Sequence, residues 1–351
     1  MDEEDINPQI RGLDEIDRRL IHALQIHPRA RWAAIAPIVG VDPVTLSRRW
    51  ERLSGDGLAW ITGHPGADAR GPSAILEVES HPGSTLEIAR ALAADREAFT
   101  VDLTAGGRDM LVIVGAKSLD ALGEYVMTRM SRLEGVRTTR THLLSSPFTD
   151  AGQWRLRSLS AAEVAAVKRT VSADTPAPAR IDPQLERELL KLLGVNGRVT
   201  IASMARVLDV SERRVRETMA ALASSGRLVV RLDLARAHSG WPVHAWYFLR
   251  VPARLTARAG AALAGISEIR LAVSTIGPSN LVLSVWMKTL ADVQRLEVAI
   301  EENIPEVAIA DRSLVLRTLK KEGRHLDANG NATGDFAPLP MSSPRTGAPL
   351  R

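Results

Sequence analysis

Apolar positions near the start of the chain recur at helical spacing. Leu13, Ile16, Leu20, Ala23, Leu24 and Ile26 predict a first helix over residues 13–26. A second, short apolar run over residues 32–39 ends at Gly40, whose freedom at positive φ suits a tight turn. In residues 43–53 the apolar stripe is Leu46, Trp50 and Leu53, with Asp42 placed to cap the helix and Pro43 at its first position. Residues 58–61 read as a short strand after the Gly55 and Gly57 turn. Helix, glycine turn, capped helix and a small wing make a winged-helix-like helix-turn-helix pattern.

From Ala74 the period changes. Strands are predicted at 75–79, 99–104, 110–114 and 136–144, with helices at 84–98 and 119–133 and a turn at Gly106 to Asp109. The order βαββαβ is the ferredoxin-like split arrangement, with both helices on one sheet face. The other face, assigned here to residues such as Leu76 and Val78, needs cover, and a second copy of the sheet is the simplest candidate.

That second copy lies in the same chain. Leu20, Leu24, Ile35, Ala36, Val41, Leu53 and Gly57 are matched by Leu189, Leu193, Met204, Ala205, Val210, Leu222 and Gly226 at a constant separation of 169 positions. Gly106, Asp109, Leu119 and Val136 are matched by Gly277, Asn280, Leu290 and Val307 at a separation of 171. The expected fold class is therefore α+β: two winged-helix-like helix-turn-helix domains alternating with two ferredoxin-like βαββαβ domains. The expected division is a flexible start (1–12), first head (13–62), linker (63–73), first ferredoxin-like domain (74–148), helix and Pro/Ala linker (149–180), second head (181–235), second ferredoxin-like domain (244–322) and a disordered tail (323–351). The sheets are expected to pair within the chain or between two chains, and both arrangements satisfy the pattern.

Composition narrows the classes of function. A 351-residue chain with 45% hydrophobic residues has material for more than one core. A net charge of +4 with pI near 9.7 permits nucleic acid without demanding it. The absence of cysteine excludes disulfides and thiolate sites and suits a reducing cytoplasm. The acidic start MDEEDINPQIRG is not a signal peptide, and no run of about eighteen apolar residues predicts a membrane span. No phosphate loop, dinucleotide fingerprint, nucleophile with a base, or helical metal-ligand pair is evident among the eight histidines. The expectation is no enzyme, no metal and no cofactor.

The surface of helix 43–53 that is left over carries Val44, Thr45, Ser47, Arg48, Arg49 and Arg52. In the second copy Arg213, Arg214 and Arg216 stand where Val44, Thr45 and Ser47 stand in the first. Arginine bonds guanine bidentately or holds a phosphate, whereas Thr and Ser make shorter, less selective contacts. The competing use of these arginines is salt bridging, to Glu51 and Asp56 in the first copy and to Glu212 and Glu217 in the second. Two unlike heads favour an asymmetric operator with half-sites roughly 34 Å apart.

The residues from Leu13 to Leu20 (LDEIDRRL), Leu24-Gln25, Pro28-Arg29-Ala30-Arg31, and the helix-turn-helix with Arg48-Arg49 and Leu53 resemble the head of the Lrp/AsnC family of prokaryotic transcriptional regulators. The βαββαβ block with Gly106-x-x-Asp109 resembles that family's effector-binding domain. The two resemblances cover residues 13–144 and about 181–319. They imply binding to double-stranded DNA, self-association through the ferredoxin-like domains, and a response to an amino acid or similar metabolite. Family members are mostly single units, so the doubled chain departs from the usual assembly and suggests an internal pseudo-dimer able to oligomerise further.

With that resemblance, Gly106 and Asp109 become candidate effector contacts, the carboxylate accepting from a ligand ammonium; an ordinary Gly-Asp turn is the other reading. Gly277 and Asn280 are the second set, without the formal charge. A nucleoid-type organiser without effector, or an amino-acid-binding enzyme or enzyme regulator whose heads make protein contacts, are the alternatives. Trp154, Arg155 and Arg157 have no role in this scheme.

Overall fold

The computed structural model describes residues 12–66, 69–150, 152–171, 181–304 and 306–341. Residues 1–11 of the expected flexible start (1–12), 172–180 of the expected helix and linker (149–180) and 342–351 of the expected disordered tail (323–351) lie outside the described residues. The first head is α1 (Glu15–Ile26), α2 (Trp32–Val39), α3 (Pro43–Gly55) and the wing strand β1 (Ala59–Pro65). A first α/β unit follows as β2 (Ser73–Ser80), α4 (Thr85–Ala94), β3 (Ala98–Ala105), β4 (Met110–Gly115), α5 (Leu119–Glu124, extended by a π turn and a 3-10 turn to Arg132) and β5 (Val136–Thr149). Helix α6 (Ala161–Arg169) leads to the second head, α7 (Pro183–Val195), α8 (Ile201–Leu208), α9 (Glu212–Ser224) and β6 (Leu228–Leu234). The second α/β unit is β7 (Val243–Arg250), α10 (Thr256–Ala264), β8 (Ile269–Ile276), β9 (Leu281–Met287), α11 (Asp292–Asn303) and β10 (Ala308–Lys321).

Each α/β unit builds a four-stranded antiparallel sheet, β3-β4-β2-β5 and β8-β9-β7-β10. The 14-residue strands β5 and β10 join the two. The first part of β5 pairs with β2 and its end with β8; β10 pairs first with β7 and then with β3. Eight strands therefore close on themselves, leaving no open edge between the sheets. Ile75, Leu111, Trp246, Phe248, Val273, Val282 and Val315 fill the space between the sheets. The helices cover the outer faces, α4 and α5 over the first sheet.

This closure corrects one assignment. Leu76 and Val78 face the helices, and the alternate residue Ile75 faces the opposing sheet. Period-2 alternation separates the two sets of side chains but does not say which set meets which layer, because both faces are apolar here.

The heads also pair. β1 and β6 form an antiparallel ribbon in which Thr62 stands opposite Arg231, its own counterpart 169 positions later. The presumed linker beginning at 63 is thus partly strand: Gly63 lies in β1 against Leu193, where a Cβ would meet the Leu193 side chain at 2.6 Å. Around the ribbon the heads exchange arginines. Arg29 donates to the carbonyls of Gly197 and Val199 at 2.5 and 2.8 Å, and Arg198 to those of Pro28 and Ala30 at 2.6 and 2.9 Å. Arg198 also lies 3.9 Å above the Trp32 ring.

Two segments outside the repeats seal the helices of the heads. Residues 152–160 run along α1, where the Leu156 N–H donates to Gln25 and the Leu159 N–H to His22 Nδ1. Trp154 sits edge-to-face with Trp286 and donates to the Ser267 carbonyl, and Arg155 ties the turn by bonding the Gly152 and Trp154 carbonyls. At the other end, the residues expected to be disordered from Gly323 form β11 (Arg324–Leu326) and β12 (Ala332–Phe336). There Arg324 donates to the last carbonyls of α7, Gly194 and Val195, and the Phe336 ring packs on Gly194.

Candidate nucleic-acid interface

In the first head, Asp42 accepts from the backbone N–H groups of Val44 and Thr45 at 3.0 Å each, and Pro43 occupies the first turn of α3. Those bonds, led by the one from the Thr45 hydroxyl, hold the Asp42 carboxyl below its usual range. Gly40 takes the left-handed conformation at φ +91° between α2 and α3. Leu46, Trp50 and Leu53 are buried, so the opposite side of α3 looks outward. Val44 is 61% exposed on that outward side.

The polar residues of that side divide. Arg48 is exposed and faces no carboxylate among the described residues, while Ser47 donates to Glu51 at 3.0 Å and the Thr45 hydroxyl to Asp42. Arg49 and Arg52 turn inward. Arg49 bonds Asp14 at 2.6 Å and Asp17 at 2.9 Å, and Arg52 bonds Asp17 at 2.5 Å. Asp17 is 1% exposed, so these two arginines fasten α3 to α1.

The second head repeats the geometry with other atoms. Ser211 caps α9 by accepting from the Arg214 N–H, and Asp209 takes the left-handed turn position of Gly40 at φ +51°. Arg213, Arg214 and Arg216 all point to solvent, paired with Glu217 at 2.8 Å, Asp182 at 3.5 Å and Glu212 at 2.5 Å. Such exposed pairs contribute little and are readily exchanged for another anion. The buried acid equivalent to Asp17 is Glu186, and here Arg227, beside β6, holds it at 2.7 and 3.0 Å.

The four proposed effector residues lie in equivalent turns at the ends of β3 and β8. Asp109 accepts from the backbone N–H and the hydroxyl of Ser80 at 2.6 and 2.9 Å. Asn280 accepts from the Val251 N–H at 2.9 Å and donates to the Val251 carbonyl at 2.7 Å. An amide does both jobs where a carboxylate does only the first, which accounts for Asn in the second copy. Gly106 approaches the Arg312 carbonyl and Ser313, and Gly277 approaches His142, each across to the opposite unit. The side chains of Asp109 and Asn280 are thus engaged within the fold.

Among the described residues no helix is long and apolar enough to cross a membrane, and no three His, Asp or Glu side chains are grouped to hold a metal ion.

Comparison with known proteins follows the same division. The AsnC-type helix-turn-helix domain model matches residues 13–54, and the Lrp/AsnC ligand binding domain model matches residues 73–153. An uncharacterised HTH-type transcriptional regulator of Pyrococcus furiosus is 30% identical over 139 residues, 38% of this chain and 93% of its own length. The HTH-type transcriptional regulator AldR of Mycolicibacterium smegmatis is 29% identical over 140 residues, 38% of this chain and 82% of its own. The crystal structure of the siroheme decarboxylase NirDL matches across both halves, covering 91% of this chain and 96% of that one, with a TM-score of 0.58 at 15% identity. At that identity the likeness is one of fold.

Proposed function

The chain belongs to the Lrp/AsnC family of helix-turn-helix regulators, and on that premise we propose that it is a sequence-specific DNA-binding transcriptional regulator, not an enzyme, responding to an amino acid or related small metabolite. The observation that carries the reading is the capped helix α3, whose outer side leaves Val44 and Arg48 uncommitted beside the hydroxyls of Thr45 and Ser47. Arg48 suits a guanine edge or a phosphate, and Val44 a thymine methyl. Arg213, Arg214 and Arg216 serve the second half-site, exchanging their exposed carboxylate partners for phosphates.

In this reading one polypeptide supplies what two chains supply in a dimer. The β1–β6 ribbon and the Arg29 and Arg198 exchange set the distance between the recognition helices, so the operator has two unlike half-sites at one spacing. Since Asp109 and Asn280 are engaged, the Gly106 and Gly277 turns would meet an effector through backbone groups. The test is fluorescence anisotropy with duplex carrying the upstream region of its own gene against unrelated duplex at moderate salt; equal affinity for both removes sequence-specific regulation.

A second reading, an enzyme acting on a carboxylated tetrapyrrole, has in its favour the whole-chain fold shared with a siroheme decarboxylase. Carbon dioxide release from siroheme by the purified chain would replace the regulator reading; no release leaves it in place.

A further inference from the structure

A cavity of about 330 Å³ lies between the paired wings and one end of the closed sheet. That is the size range of small-molecule sites. Its wall includes residues of β6, β7, β8, β9 and β10 together with the turn around Gly330. None of the effector turns at Gly106 or Gly277 belongs to it.

Its charge is out of balance. Six arginine and lysine side chains line it against three carboxylates. Behind the wall, the carboxylate of Asp233 serves Arg231 at 2.9 Å, Lys321 at 3.2 Å and Arg270 at 3.5 Å, while Glu322 in the wall is shared by Arg231 at 3.6 Å and Arg70 at 3.7 Å. Arg270 is 3% exposed and lies 3.8 Å above the Trp286 ring, and its Nη1 has no hydrogen-bond partner. Arg317 Nε is likewise buried without a partner. Of the acids in the wall, Asp102 is already bonded by Trp246 at 2.9 Å and Thr318 at 2.6 Å, and burial pushes its carboxyl up. Burial pushes Lys321 down to about 8 despite Asp233. Cations crowded out of water need anions, and the fold supplies too few.

We propose that this cavity binds a small organic anion, one bearing two or more carboxylate or phosphate groups on an apolar body, with Arg270, Arg317 and Lys321 taking the charges and Trp246 and Trp286 the body. Arg231 and Leu234 of β6 belong to its wall, so the ligand touches the strand that joins the heads. Resting on the regulator reading, occupancy therefore adjusts DNA affinity through the β1–β6 ribbon. Binding itself does not depend on that reading.

The test uses the full chain with benzene-1,3,5-tricarboxylate and, separately, inorganic pyrophosphate, followed by tryptophan fluorescence and thermal unfolding. Saturable quenching with a raised Tm for either compound is expected, and which of the two binds tighter names the charged group. Arg270→Gln and Arg317→Gln each weaken binding about tenfold. Arg317 is partly exposed and donates no bond to a carboxylate, so its variant keeps the proposal testable if Arg270→Gln does not fold. No binding of either compound, or unchanged binding in a folded Arg317→Gln, overturns the proposal. Absence of sequence-specific DNA binding both without and with the compound, while the cavity still binds it, would remove the regulator reading and leave the site standing.

Discussion

The two heads solve one mechanical problem in different ways. Each carries a buried acid on its first helix, Asp17 or Glu186, that must be neutralised. The first head draws on its own recognition helix, using Arg49 and Arg52. The second uses Arg227, at the start of the wing, and leaves every arginine of α9 in solvent. A count of arginines on a recognition helix therefore says little about its reading surface until their internal duties are known. Here the first helix has one uncommitted arginine, Arg48, and the second has three with weak local partners.

The largest expected effect comes from cutting these anchors. Glu186→Ala should cost about 3 kcal/mol in urea unfolding, because Arg227 is 14% exposed and loses both bonds to the acid. Asp17→Ala should cost less, about 2 kcal/mol, since Arg49 and Arg52 are 25% and 34% exposed and can rehydrate. Equal costs would show that the two anchors are equivalent after all.

Acid should separate the heads next. Burial, aided by Arg155 and Arg157, pushes His22 in α1 down to about 4, whereas its counterpart in α7 is the exposed Lys191. The unfolded chain takes up this proton first, at its ordinary value near 6.5, so the stabilisation is whole above that pH and is lost as pH falls towards 4. Hydrogen exchange should therefore show α1 and residues 152–160 loosening before α7, by at most about 3 kcal/mol. Simultaneous opening would contradict the difference.

The exchange between heads ranks third. Arg198→Ala removes two bonds to carbonyls and the stack on Trp32, for an expected loss of about 2 kcal/mol and a broader spread of tolerated half-site spacings in binding assays. The smallest effect is at the turns. Asp209→Gly should stabilise the second head by about 0.5 to 1 kcal/mol, read as a rise in Tm, because φ +51° strains a side chain that Gly40 lacks in the first.

Much of this was legible in the chain. The 3.6 and 2 periods located the heads and the α/β units, and the constant offset between copies announced the pairing of like with like. What periodicity does not carry is which layer each face of a doubly apolar strand meets, so Leu76 and Val78, expected on the open face, lie under the helices instead. Composition misled at the C-terminal end. Residues 323–341 average out as Gly, Asn and Pro rich, yet Arg324, Phe336 and the buried Leu339 are enough to anchor a hairpin on α7. The inward turn of Arg49 and Arg52 depends on Asp14 and Asp17, 32 to 35 positions away, a contact that only the helix packing creates.

The division of labour between the heads is tested most directly by footprinting Arg48→Ala and the triple variant Arg213→Ala, Arg214→Ala, Arg216→Ala on the upstream region of the chain's own gene. Each should empty a different half of the footprint, with Arg48→Ala losing about 1 to 3 kcal/mol at its half-site and leaving Tm unchanged. Protection lost equally across both halves in either protein would contradict the account.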